Sequence, residues 1–203
     1  NGTLKMPRRV VFTAMNSFLC QEGPFLRASD VTGYLAAEAE TAAASFRRGT
    51  SCLRCHATMD PAASTMRNLR LGSSINNIQA GTTRATAMVL NTNIDQPATG
   101  EWTMTADPQF YRRPPAGRLL FRSVSGALVN QPLDGLESLG RTMAETDDYY
   151  ACAASRYFKY FTGINVTLLD PGESSNHDLL SNMTEKDREY RNYILELGRK
   201  LRE

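Results

Sequence analysis

Apolar residues recur at helical spacing in several stretches of this chain. Over 6–20, Val11, Met15, Phe18 and Leu19 fall on one stripe, Pro7 suits a first helical turn, and Gly23-Pro24 closes the segment. A second helix is expected over 31–46, capped by Ser29 or Asp30 and stopped near Gly49. A short helix then opens at Thr50 or Ser51 and is expected to break at Asp60-Pro61. From 62 to 115 the periodicity fades into Thr, Asn, Gly and Ser, which predicts a long irregular segment. Such length is uncommon in a compact domain unless the segment binds something. Residues 119–129 read as a small β hairpin about Gly126. Beyond it, Leu133, Leu136, Leu139 and Met143 form one stripe, and Asp147 or Asp148 caps a helix bearing Tyr150, Ala154, Phe158 and Phe161. That helix closes at Gly163. Thr184 opens the last, with Tyr190, Ile194, Leu197 and Leu201 on one face. The predicted class is mainly α, with one small β hairpin and one long irregular segment.

Composition changes little. At 203 residues the chain fits one hydrophobic core, so a single domain over 1–203 is expected, with sub-parts at 1–115 and 116–203. The 41% hydrophobic and 22% charged residues exclude a coiled coil, a fibre or a wholly disordered chain. The 23 Lys and Arg nearly cancel the 21 Asp and Glu, so no nucleic-acid partner is expected. No apolar run approaches the ~18–20 residues of a transmembrane helix. Residues 1–9 carry no apolar stretch after their basic residues, so the chain is expected to be mature or trimmed.

Candidate chemistry changes the picture. Cys52-Leu53-Arg54-Cys55-His56 has the Cys-x-x-Cys-His spacing that attaches c-type haem. Two residues between the thiols let one turn of chain present both sulfurs to the porphyrin, and the next residue, His56, is placed to reach the iron as proximal ligand. A chance match at this composition has a probability on the order of one in a thousand. Two other chemistries use similar spacing. A dithiol redox pair belongs in a βαβ pattern, which is absent from the sequence pattern. Zinc needs two further ligands, and Cys20, Cys152 and His177 are what remain.

The sequence around this motif resembles the planctomycete-type cytochrome c family. The resemblance is carried by Arg8 and Arg9 followed by Asn16-Ser17-Phe18-Leu19-Cys20, then Cys52-x-x-Cys55-His56-x-x-Met59-Asp60-Pro61, then Tyr160-Phe161-Thr162-Gly163. It spans 8–165, and the haem segment is its most specific part. Two departures mark a distant branch: Ala62-Ala63-Ser64 stands where the family has Gly-Phe-x-x-Glu, and Ile164 replaces an Arg. The resemblance implies a secreted bacterial mono-haem protein. The expected fold is then a helical cytochrome c-like domain whose irregular segment wraps haem.

The second axial ligand separates electron transfer from catalysis. Met104, in Glu101-Trp102-Thr103-Met104-Thr105 before Asp107-Pro108, fits best, with Met88 and His177 as alternatives. Trp102 is a candidate to stack beside the porphyrin, and Arg47, Arg48 and Arg54 are candidates to pair with propionates or steer an acidic redox partner. Haem attachment of this kind belongs to the periplasm or cell surface, where Cys20 and Cys152 are expected to form a disulfide. The expected function is one-electron transfer to a redox partner protein or neighbouring cytochrome, rather than catalysis. A peroxidase-like haem enzyme with an open distal face, and a surface-assembly module using haem as a staple, are the alternatives.

Overall fold

The computed structural model describes residues 5–32, 49–67, 69–78, 81–90 and 114–203. Helix α1 (Lys5–Leu19) buries Val11, Met15 and Leu19. Its buried face is centred near Met15, which leaves Phe18 at the margin and 53% exposed instead of on the core stripe. Cys20 then takes a left-handed φ of 53° and ends the helix. Of the helix expected over 31–46, a first turn at 28–32 is helical and the rest lies outside the described residues.

Helix α2 (Thr50–Ala63) carries the Cys motif and runs through Asp60-Pro61 instead of breaking there. Pro61 sits in the last turn, where its missing N–H removes one intrahelical bond. Ser64 and Thr65 hydroxyls then donate to the Asp60 and Ala62 carbonyls, at 3.1 and 2.6 Å. A 3-10 turn, Ser64–Met66, follows.

Strands β1 (Leu69–Ile78) and β2 (Gly81–Leu90) form an antiparallel hairpin with Leu69 opposite Leu90 and Ile78 opposite Gly81. This hairpin occupies part of the stretch expected to be irregular; 91–113 lies outside the described residues. Ser and Asn dilute the apolar alternation on β1, while Thr82, Thr83, Thr86 and Val89 supply the β-branched residues that favour extended chain on β2.

The hairpin expected near Gly126 is also present, and longer than predicted: β3 (Ala116–Arg122) pairs antiparallel with β4 (Leu128–Asp134). Leu119, Leu120 and Phe121 are consecutive and all buried, because β3 is covered on both faces. Leu119 and Phe121 join a core with Val11, Met15 and Leu19 of α1 and with Leu139 and Met143 of α3 (Gly135–Ala144). Leu120 turns to Leu26, Val31, Leu53 and Ala57. Against α2, β3 comes so close that a Cβ on Gly117 would lie 2.1 Å from the Pro61 carbonyl oxygen.

Helix α4 (Asp147–Thr162) is capped by Thr146, whose hydroxyl accepts from the Tyr149 amide, and not by Asp147 or Asp148. It ends at Gly163 with φ 73°, as expected. A short helix α5 (His177–Ser181) precedes α6 (Glu185–Arg202), which opens with a capping box between Thr184 and Asp187. Helices α4 and α6 cross at Gly198, where a Cβ would lie 2.7 Å from the Ala151 amide nitrogen. Ala151, Ala154, Val166, Leu168 and Ile194 make the second core there. The described fold is mostly helical, and no helix in it is long and apolar enough to cross a membrane.

Candidate functional site

Helix α2 presents Cys52, Cys55 and His56 within two turns, each partly exposed. Cys52 and Cys55, three residues apart and so on one side of the helix, are not bonded to one another. Gly23 approaches Cys55: a Cβ there would stand 3.6 Å from its Sγ. Burial pushes the Cys55 thiol up, opposite to the acidified thiols of dithiol oxidoreductases.

His56 Nδ1 lies 3.2 Å from Oδ1 of Asp60, one turn later on the same helix. Asp60 is fully buried, and the Arg8 guanidinium reaches it from α1 with both Nε and Nη2, the latter at 2.6 Å. Burial pushes the Asp60 carboxyl up, but hydrogen bonds from His56 and Arg8, with the Arg8 charge, hold it below the usual carboxylate range. An ionised Asp60 accepts the Nδ1 proton of His56.

Arg54, expected at a haem edge, has other partners. Its Nε donates to the Leu26 carbonyl at 2.9 Å, and its Nη2 lies 2.8 Å from Oε1 of Glu173. The Arg54 carbonyl in turn accepts from the Phe25 and Leu26 amides, at 3.1 and 3.2 Å. A half-buried guanidinium next to a buried carboxylate is satisfied within the protein, so Arg54 braces the motif against the 25–26 and 173–175 segments. Two further pairs hold the neighbouring stretch: Arg27 with Asp170, and Asp30 with Arg122 at the end of β3.

Cys20 and Cys152 are joined by a disulfide, as expected, with a Cα–Cα distance of 5.3 Å. The bond removes two of the three residues, Cys20, Cys152 and His177, from which a zinc site would draw its further ligands. Among the described residues no group of three or more His, Cys, Asp or Glu is arranged to hold a metal ion. Met88 stands on β2 opposite Leu71. His177 opens α5 and is exposed. Arg47, Arg48, Trp102 and Met104 lie outside the described residues.

The Arg8–Asp60–His56 chain is the part of the site that spacing alone did not assign. The i, i+4 relation of His56 and Asp60 was available from the sequence; the arrival of Arg8, 52 residues away, was not. No protein-family model, no curated protein and no solved structure matches the chain.

Proposed function

We propose that this protein is a c-type cytochrome holding one covalent haem at Cys52 and Cys55 and transferring single electrons in the periplasm or at the cell surface. The observation that carries the reading is the setting of His56 in the Cys-x-x-Cys-His motif: its Nδ1 lies against a buried carboxylate, the kind of partner that orients an imidazole meant to bind a metal. The residues fit the group. Cys52 and Cys55 are both reduced and partly exposed on one side of α2, the donor set that thioether attachment requires. When bound, haem c supplies an iron that cycles between its ferric and ferrous states.

The chain's own residues do the rest. Asp60 holds the His56 tautomer and makes the imidazole more electron-rich, and Arg8 keeps Asp60 ionised. Arg54 and Glu173 brace the helix, so the motif need not move between redox states. The Cys20–Cys152 disulfide accords with an oxidising compartment. The likeness of the Cys52–Pro61 segment to the planctomycete-type cytochrome c family supports the same reading. Met104 would be the second residue to hold the iron, with Met88 and His177 as alternatives.

Visible spectra of the oxidised and reduced protein, before and after denaturing acidic solvent extraction, test this directly. The expected result is a haem spectrum that stays with the polypeptide and is lost in the Cys52→Ala, Cys55→Ala double variant. Protein produced with an active haem-attachment system yet carrying no covalent haem sinks the proposal. Met104→Ala should abolish the weak red-end charge-transfer band of the ferric state. Rapid binding of CO to the unmodified reduced protein would instead favour the peroxidase-like alternative.

A further inference from the structure

The C-terminal helices border an open cleft of about 600 Å³ that shares no residue with the Cys-x-x-Cys-His motif. Its polar lining is cationic or hydrogen-bond donating: Arg188 and Arg191 of α6, His177 of α5 and Asn192, with Leu180 and Met183 among its apolar walls. No Asp or Glu lines it.

Arg191 is the informative residue. Its Nη2 donates to the carbonyls of Val124 and Leu169, at 2.7 and 3.1 Å, which fixes the guanidinium at the edge of the second core. Its Nε is buried without a hydrogen-bond partner, and no carboxylate pairs with it. Burial lowers its pKa, and the charge of Asp170 only partly opposes that. Asp170 cannot serve as its counter-ion, because Arg27 holds both oxygens of that carboxylate at 2.7 Å. A half-buried cation without a counter-ion is costly unless an anion approaches it. Beside it, the side chains of His177, Arg188 and Asn192 make no hydrogen bond or ion pair with the described residues. Arg188 and Arg191 are three apart on α6, so their guanidiniums share one face.

We propose that this cleft binds an oxyanion, a phosphate or carboxylate group carried on a small organic body, with Arg188, Arg191, His177 and Asn192 as its donors. Two guanidiniums on one face suit the forked geometry of such groups. The volume exceeds that of a bare ion, and Leu180 and Met183 offer contact to an apolar body. The site is independent of the haem reading.

Thermal unfolding and calorimetric titration of the full chain, as purified and at constant ionic strength, test the proposal. The probes are inorganic phosphate, phenyl phosphate and benzoate, with chloride as the control. Saturable binding at millimolar concentration or below is expected, tighter for phenyl phosphate than for inorganic phosphate. Arg188→Gln should weaken it by about tenfold, the worth of one charge-assisted contact. Arg191→Gln should abolish it; since that variant also loses the Val124 and Leu169 contacts, Arg188→Gln carries the decision if it fails to fold. Phenyl phosphate outcompeting benzoate assigns a phosphate ester, and the reverse assigns a carboxylate; both support the proposal. Stabilisation no greater than chloride gives, or an Arg188→Gln variant that binds all probes like the parent, overturns it.

Discussion

Asp148 offers the sharpest test of the packing. It is 1% exposed, and its Oδ1 accepts from the Val124 amide at 2.9 Å and from Gln21 Nε2 at 3.0 Å. Burial raises its carboxyl from 3.8 to about 6, against the pull of those two hydrogen bonds. The folded protein therefore keeps a proton that the unfolded chain has released between about pH 4 and pH 6. Native protein binds the more protons in that window, so this group makes stability fall as pH rises through it. A difference of about two pH units, at about 1.4 kcal/mol each, amounts to about 3 kcal/mol lost by pH 7. Asp148→Asn keeps an oxygen for both donors and cannot ionise. The variant should match the parent near pH 4 and exceed it by up to about 3 kcal/mol at pH 7–8. Urea denaturation followed by far-ultraviolet circular dichroism from pH 4 to 8 measures both proteins. Subtracting one curve from the other removes the opposite, acid-side contributions of Asp30, Asp170 and Glu173, whose carboxyls lie below their usual range. A difference that does not change with pH, or an Asp148→Asn protein less stable at pH 8, would refute the reasoning.

Three other perturbations address the site and its supports. Asp60→Asn strips the charge that faces Arg8 and His56 at a fully buried position, so stability should drop by about 3 kcal/mol in denaturant titrations. On the haem reading, the reduction potential of that variant should also rise as His56 becomes a poorer donor, a shift that a purely structural Asp60 would not cause. Gly117→Ala would set a methyl 2.1 Å from the Pro61 carbonyl and push β3 off α2, costing about 3 kcal/mol by the same titration. Removing the Cys20–Cys152 bridge by paired Cys→Ser changes, or by reductant under conditions that spare the fold, should cost about 5 kcal/mol, because it closes a loop of 132 residues in the unfolded chain. An unfolding midpoint unchanged by reductant would show that the bridge does not form.

Sequence by itself determined the local features of this protein. Helix periods placed α1, α4 and α6; Gly163 and Thr184 marked a stop and a start; and the close spacing of Cys52, Cys55 and His56 put them together on one helix. These are short-range properties, legible because the interacting residues are one to four positions apart. The disulfide followed from having two cysteines left over, whereas the contact of His56 with Asp60, though one helical turn long, was not assigned from spacing.

What only the tertiary structure decided depends on residues far apart in the chain. Arg8 meets Asp60 across 52 positions, and Arg54 meets Glu173 from a distant part of the chain. Phe18 and Leu136 fall outside the core although their stripes include them, because the neighbouring element, and not the period, sets where a buried face ends. The β1–β2 ladder was hidden for a related reason: backbone hydrogen bonds pair its strands, so its Ser, Asn and Thr side chains need not alternate with apolar ones. Arg191, too, reads as an ordinary helical cation until the fold buries its Nε and gives its neighbouring carboxylate to Arg27. Periodicity reports which face of an element can be buried. Only the packed chain reports what that face meets and which charges are left without a counter-charge.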